Sequence, residues 1–208
     1  MQSIDQLLTW AQGSDCIAAR VAFLALEPGE DVSGSCLGWD TLVDIAATAF
    51  ARQPFDALAP WAEPLEVGPL AMAREPLVSA LHSQLGNGVA ARVLALVLDA
   101  RVICSQLTER SKVSANAVNG WSLEKGMGMG RAITCRGPVF HRVSLAAGGG
   151  GERVADWRVI APTDWHFAPR GPVVVGLKKL HSVGRMRLLV TSYDPCAPWT
   201  LQATAPGA

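Results

Sequence analysis

The chain has 208 residues, half of them hydrophobic, and its 18 lysine and arginine residues balance 18 aspartate and glutamate residues. This length can bury the core of one domain, and without a basic run to bind phosphates the composition argues against nucleic acid as a partner. The longest apolar stretch, residues 89–107, is interrupted by Arg92, Asp99 and Arg101, and no signal peptide opens the sequence. We therefore expect a soluble, cytoplasmic protein that does not enter a membrane.

The cysteines indicate a reducing compartment. Their number is odd and they lack the spacing of a disulfide framework, so they fit reduced thiols in the cytosol better than disulfides. They are Cys16, Cys36, Cys104, Cys135 and Cys196.

The first half of the chain has mainly helical periodicity. Four segments predict helices, over residues 3–13, 40–50, 77–85 and 89–107. Residues 17–26 alternate like a strand, and Cys36 lies in a glycine- and serine-rich segment that predicts a loop. Residues 54–76 are rich in proline and predict an extended connector over the surface.

One face of the longest predicted helix carries a thiol. Leu94, Val97, Arg101 and Cys104 follow one another at steps of three, four and three, so they share one stripe of the helix. This pattern predicts that Cys104 packs in the core, and that it becomes a second metal-binding thiol only if the stripe faces Cys196.

Beyond Gly120 the period changes from 3.6 to two, as in β-strands. A glycine-rich stretch, predicted to be flexible, leads into a strand, and residues 139–145 and 154–160 are predicted to pair as a hairpin that turns at 148–151. The sequence thus predicts an α+β fold of one domain. Helices from residues 40–110 should pack under a small antiparallel sheet made largely from residues 131–191.

The last predicted strand leads to another thiol. Leu188, Leu189, Val190 and Tyr193 indicate a short buried strand that Pro195 ends, because proline has no amide to continue a ladder. Cys196 would then lie just past a sheet edge. A thiolate at this position can bind a soft metal or act as a nucleophile, and the alternative is a small buried hydrophobic residue in a turn.

Four segments resemble, in the same order, the large subunit of nickel-iron hydrogenases. They are Glu66–Ala71 (EVGPLA), Arg136-Gly137 with His141 five positions after the arginine, Pro162-Thr163-x-Trp165 followed by Pro169, and Asp194-Pro195-Cys196. Together they cover residues 64–202, so residues 1–63 form a separate N-terminal lobe and connector in this interpretation.

The resemblance implies roles for three of these segments. Arg136 would lie above the metals, beside the diatomic ligands of iron, and the turn at Pro162 and Thr163 would donate hydrogen bonds to cyanide. Cys196 would be a metal ligand. The resemblance therefore predicts that Arg136, Thr163 and Cys196 converge in space. Without the resemblance, the residues alone predict that Arg136 pairs with a carboxylate and that Thr163 caps a helix start bounded by proline.

The chain also departs from the large-subunit pattern. It has no Cys-x-x-Cys motif, Trp199 replaces the second cysteine of the C-terminal signature, and Gln202 replaces the histidine that follows. A nickel site of that kind cannot be assembled. Cys135 replaces a proline and His166 replaces an asparagine. This reduced set resembles the HupK/HoxV family of hydrogenase accessory proteins.

The family resemblance implies a non-catalytic maturation scaffold. It would transiently hold iron with its cyanide and carbonyl ligands, Fe(CN)2CO, without nickel, between a HypC-type chaperone, a HypD-type scaffold and the apo large subunit. Cys196 would be the anchor. The candidates for the second iron ligand are, in order, Cys135, Cys104 and Cys36, followed by His141 and His166.

Two other functions remain open on the sequence. The first is a metal-free mimic of the large subunit, which would act as an assembly chaperone through protein contacts alone. The second is a hydrolase with Cys196 as the nucleophile and His141, His166 or His181 as the base. Such a nucleophile needs a base within hydrogen-bond reach and an oxyanion hole, and Ala-Pro-Trp after Cys196 supplies no evident oxyanion hole.

Overall fold

The computed structural model describes residues 3–16, 19–20, 35–36, 39–51, 65–72, 76–108, 118–146 and 153–202. The elements of this part of the chain are, in order, α1 (Ile4–Gly13), β1 (Ser35–Cys36), α2 (Trp39–Ala51), β2 (Leu65–Glu66), α3 (Pro69–Met72), α4 (Pro76–Leu85), α5 (Val89–Thr108), β3 (Val118–Glu124), β4 (Met127–Thr134), β5 (Gly137–Leu145), β6 (Val154–Ile160), α6 (Pro162–Phe167), α7 (Pro172–Leu177) and α8 (Val183–Ser192). Within these residues, no helix combines the length and apolar character needed to cross a membrane.

The four long strands form an antiparallel meander in the order β3-β4-β5-β6. The predicted hairpin is confirmed, because Val143 pairs with Trp157 and Arg142 with Arg158. Its turn at 148–151 lies outside the described residues. The glycine-rich stretch that was predicted to be flexible is strand β4 itself, held by β3 on one side and β5 on the other. The sheet therefore spans residues 118–160, and not 131–191.

The helices pack in separate clusters that meet near the sheet. Helix α2 lies against the inner face of the sheet, where Leu42, Ala46 and Phe50 share a core with Phe140 and Ile160. Helix α1 packs with α3, α4 and α5 around Leu81 and Leu94 in a second core. Helices α7 and α8 form a third around Val173 and Leu189. This mixed arrangement of helices and one antiparallel sheet confirms the predicted α+β class.

The predicted strand at residues 188–193 is wrong, because this segment belongs to α8. Leu189, Val190 and Tyr193 are buried, and steps of one and three place them on one side of a helix turn. A short apolar run fits a buried strand or a buried helix equally well by periodicity. Here the packing of α8 against α5 and α7 decides in favour of the helix.

Three further predictions need correction. Cys104 is exposed and not in the core, because the buried residues of α5 run from Ala90 to Asp99 and the helix continues past the core. Cys36 lies in β1, whose backbone pairs with β2, and not in a loop. Residues 65–72 are mostly buried and contain β2 and α3, so this part of the predicted connector does not run over the surface.

The predicted strand at residues 17–26 lies almost entirely outside the described residues. Within it the structure describes Ala19 and Arg20, and both are helical.

Candidate functional site

The segment that carries Cys196 begins with a left-handed helix end. Tyr193 is the last residue with right-handed geometry, and Asp194 follows with φ of +45°. A left-handed residue after the C-cap is a common way to end a helix, and Asp tolerates it better than most residues. Pro195 then prevents the helix from resuming. Cys196 is exposed immediately beyond this end.

Arg136 holds this helix end in place. Its Nε donates to the backbone oxygen of Asp194 at 2.6 Å and lies 2.9 Å from the carboxylate Oδ2 of the same residue. Arg136 thus pairs with a carboxylate, as predicted from the residues without the family resemblance. That carboxylate belongs to the Asp194-Pro195-Cys196 segment, so the ion pair brings two of the four matched segments together.

A third matched segment reaches the thiol directly. Thr163 Oγ1 lies 3.3 Å from Cys196 Sγ, within hydrogen-bond distance for sulfur. The prediction that Thr163 caps helix α6 is wrong, because the N-cap is Ala161, whose backbone N–H donates to Asp164 Oδ2 at 2.7 Å. Pro162 is buried as the first helical residue. Because Asp164 bonds to the backbone at the start of α6, the Thr163 hydroxyl is not used as a cap and contacts Cys196.

The fourth matched segment lies against the Arg136-Gly137 turn. Gly68 and Gly137 have φ of +128° and +127°. A Cβ on Gly137 would lie 3.0 Å from Val67 Cγ2 and 3.1 Å from the nitrogen of Gly68. Only glycine at these positions allows the two backbones to come so close. All four matched segments therefore meet at one place.

Behind the turns lies a buried polar network that the sequence analysis missed. Glu66 receives two hydrogen bonds from Arg92, at 2.7 and 2.8 Å, and both residues are about 3% exposed. The hydroxyl of Tyr193 lies 3.3 Å from Glu66 Oε2, and the guanidinium of Arg92 lies 4.3 Å from the centre of the Tyr193 ring. This network joins β2, α5 and the end of α8.

His166 completes the network as a neutral, structural residue. Its Nε2 accepts a hydrogen bond from the backbone N–H of Val67 at 3.1 Å, and its ring packs on that of Tyr193. Burial, assisted by the nearby positive charge of Arg92, lowers the pKa of His166 to about 3. Nε2 of His166 is therefore already engaged by the Val67 N–H and is not free to bind iron.

The other predicted ligands lie in different surroundings. Cys135 is exposed, with its Sγ 3.8 Å from Arg136 Nη1, so it borders the site. Cys104 is exposed on α5, and no hydrogen bond joins its thiol to the site within the described residues. His141 lies on the outer face of the sheet, where Nδ1 accepts a hydrogen bond from Trp157 at 3.1 Å. The side chain of Cys36 lies outside the described residues.

The site is open and small. Gly68, Arg136 and Asp194 line a pocket of about 20 Å³, which has room for about one water molecule. A larger ligand at Cys196 must therefore lie outside this pocket, toward solvent. In the part of the chain that the structure describes, no three His, Cys, Asp or Glu side chains are grouped to hold a metal ion. A metal at Cys196 would therefore have fewer than three such ligands from the described residues.

Comparison with known proteins gives several significant matches, although no family model matches the chain. The chain is 31% identical over 126 residues to the hydrogenase expression/formation protein HupK of Bradyrhizobium diazoefficiens, covering 57% of the chain and 34% of that protein. It is 30% identical over 145 residues to HupV of Azotobacter chroococcum, covering 67% and 38%. It is 33% identical over 90 residues to HoxV of Cupriavidus necator, covering 39% and 23%.

The chain is a homologue of hydrogenase expression/formation proteins. The resemblance to the HupK/HoxV accessory proteins is thereby confirmed. The chain spans about a third of the length of the HupK and HupV proteins that it matches.

The geometry around Cys196 does not support the hydrolase alternative. Cys196 has its hydrogen bond with Thr163, and none with an imidazole among the described residues. His166 is buried against Val67, His141 is bonded to Trp157, and His181 lies before the start of α8, at the opposite end of that helix from Cys196. A nucleophilic thiol needs a base within reach, and the described geometry does not supply one.

Proposed function

We propose that this chain acts in hydrogenase maturation, as a non-catalytic scaffold that transiently carries Fe(CN)2CO. The expression/formation names of its relatives support the maturation role. The single observation that supports the carrier role is the contact of Thr163 Oγ1 with Cys196 Sγ, beside the helix end that Arg136 holds. These three residues lie far apart in the sequence, and an exposed thiol lies where they meet.

Each residue would have a task that suits its chemistry. The thiolate of Cys196 is a soft ligand that binds iron. Metal-bound cyanide is an anionic acceptor, and the hydroxyl of Thr163 and the guanidinium of Arg136 are donors that can satisfy it. Pro162 fixes the helix start that positions Thr163.

Cys135 is the best candidate for a second iron ligand, because its thiol contacts Arg136 and is exposed. Cys104 is not part of this proposal, because no hydrogen bond among the described residues joins its thiol to the site.

An open site suits transfer between proteins. Arg136 and Asp194 are 35% and 45% exposed, so a ligand at Cys196 would remain accessible. One thiolate with hydrogen-bond donors around it binds a metal less tightly than a closed site of several thiolates. We propose a HypC-type chaperone and a HypD-type scaffold as the sources of the iron, and the apo large subunit as its acceptor.

The second candidate function is a metal-free mimic of the large subunit that binds assembly factors. The observation that favours it is that the described residues contain no group of three metal-binding side chains. In this case the Cys196 thiol would have no task, and the surface alone would determine partner binding.

Replacement of Cys196 by alanine distinguishes the two functions. We expect Cys196→Ala to stay folded, because loss of one exposed thiol costs only roughly 1 kcal/mol. As the only copy in the cell it should fail to support maturation, measured as hydrogenase activity and as processing of the large subunit. The matched control is Cys104→Ala, which removes an exposed thiol away from the site and should leave maturation intact.

Full maturation with Cys196→Ala would overturn the carrier function and leave the mimic. Equal loss in both cysteine variants would also count against a specific role of Cys196.

A further inference from the structure

The segment from Trp165 to Tyr193 is rich in basic residues and has no acidic ones. It contains five of the 18 lysine and arginine residues and none of the 18 aspartate and glutamate residues. Its formal charge is therefore +5, and the remaining 13 basic and 18 acidic residues give the rest of the chain a formal charge of −5. Basic and acidic residues are thus unevenly divided along a sequence that is neutral as a whole.

Three of these five basic residues are exposed at or near the connection between α7 and α8. Lys178, Lys179 and His181 are exposed in the connection between the two helices, and Arg187 is exposed on α8. None of the side chains of Lys178, Lys179 and Arg187 forms an ion pair with another described residue. We call these three residues the basic corner.

The local backbone adds to the positive potential. Helix α8 has no acidic residue in its first turn, and the side chain of its N-cap, Ser182, makes no capping hydrogen bond. The N-terminal end of a helix carries a partial positive charge, so cations near it are unfavourable for the helix itself. An acidic partner at the start of α8 would therefore meet the positive end of the helix as well as the basic side chains.

We propose that the basic corner is a docking surface for an acidic segment of a partner protein. Opposite potentials steer such partners together and fix their orientation. Val183, 46% exposed at the start of α8, supplies an apolar contact among the charges. Protein interfaces combine apolar and charged contacts in this way. A nucleic acid is the less suitable occupant, because its affinity depends on many cations along a track.

The position of the corner relates it to the candidate site. Helix α8 begins at the corner and ends at Asp194, so its 10 residues place the two about 15 Å apart along the helix axis. A protein docked at the corner would be near Cys196. The docking does not require that Cys196 binds iron, so this proposal can hold or fail independently of the carrier function.

The test measures binding of two probes, a short synthetic peptide of alternating glutamate and leucine and a DNA duplex of equal length, at low and physiological salt. The test variant is Lys178→Glu/Lys179→Glu/Arg187→Glu. The matched control is Arg20→Glu/Lys125→Glu/Arg153→Glu, which reverses three exposed basic residues elsewhere and changes the net charge equally. A milder variant, Lys178→Gln/Lys179→Gln/Arg187→Gln, removes the three charges without reversing them. It is used if charge reversal disturbs folding.

The chain should bind the peptide more tightly at low salt. Reversal at the corner should raise the Kd for the peptide by about tenfold or more, the glutamine variant less, and the control by less than about twofold. Three results would overturn the proposal: equal loss in the test and control variants, tighter binding of DNA than of the peptide, or no binding of the peptide by the unmodified chain. Self-association that the corner variant abolishes would also overturn it, since the occupant would then be a second copy.

Discussion

Two glycines and one aspartate give the candidate site its backbone shape. Gly68 and Gly137 have positive φ and contact each other across two turns, and Asp194 ends α8 in a left-handed conformation. Arg136 precedes Gly137 directly and bonds to Asp194. The position of the guanidinium therefore depends on the contact between the two glycines.

Replacement of Gly137 by alanine tests this dependence. The new Cβ would lie 3.0 Å from Val67 Cγ2, and the positive φ would be strained, so we expect the free energy of unfolding to fall by about 1–3 kcal/mol. The control is Gly13→Ala at the end of α1, where a Cβ would meet no atom within 4 Å. It should be neutral or stabilising by up to about 1 kcal/mol in the same urea titration. Equal effects at the two glycines would show that the contact is unimportant.

His166 makes stability depend on pH. Its pKa is about 3 in the folded chain and near 6.5 in the unfolded chain, so between these values the unfolded chain binds a proton that the folded chain does not. The stability that neutral His166 contributes is fully present above pH 6.5 and is lost as the pH falls. Between pH 7 and pH 5, the titration of His166 alone should lower the free energy of unfolding by about 2 kcal/mol.

The pH dependence can be assigned with His166→Asn. Asparagine can still accept from Val67 N–H but does not titrate. We expect the variant to be less stable at pH 7 and to show a shallower loss of unfolding free energy between pH 7 and pH 5. The same slope in both proteins would contradict the assignment.

At the scale of elements, one buried ion pair links three parts of the fold. Glu66 is in β2, Arg92 is in α5, and Tyr193 at the end of α8 contacts both. Removal of one partner leaves a buried charge without its counter-charge, which typically costs about 3–5 kcal/mol.

We therefore expect Glu66→Gln and Arg92→Met each to lower the free energy of unfolding by about 3–5 kcal/mol. The double variant should lose clearly less than the sum, because it leaves no unpaired charge. Glu124→Gln, at an exposed position in β3, is the control and should change stability by less than about 0.5 kcal/mol. Additive losses in chemical denaturation would mean that the two residues act independently.

Sequence patterns alone were sufficient to predict some of the helices and strands. Helices α4 and α5 and the β5–β6 hairpin were predictable, because each has a long pattern of one period with glycine or proline at its ends. Helix α8 was not, because its apolar run is too short to distinguish a strand from a helix. The stripe on α5 was identified, but periodicity cannot show where a helix leaves the core, so Cys104 was misplaced.

The site was predictable only in part, for a related reason. Periodicity cannot pair residues that are distant in the chain, so the convergence of Arg136, Thr163 and Cys196 was expected from the family resemblance alone. The partners Glu66 and Arg92 were missed. A signal was present, since a single arginine in an apolar helix and a glutamate in a matched motif each require a partner if buried.

At the scale of the whole molecule, the candidate site lies where separate packing units meet. The sheet supplies Arg136, helix α6 supplies Thr163, and the end of α8 supplies Cys196. The basic corner lies at the other end of α8. A single helix thus connects the proposed docking surface with the proposed iron-binding thiol, which suits a protein that exchanges a small inorganic group with partners.

The carrier function is tested most directly by infrared spectroscopy of protein purified without oxygen from cells that make the hydrogenase maturation proteins. Metal-bound cyanide and carbonyl absorb in a region where proteins have no bands. We predict both kinds of band in the unmodified chain and in Cys104→Ala, with iron present, and their absence in Cys196→Ala. An unmodified chain that supports maturation but shows neither cyanide nor carbonyl bands would contradict the carrier function.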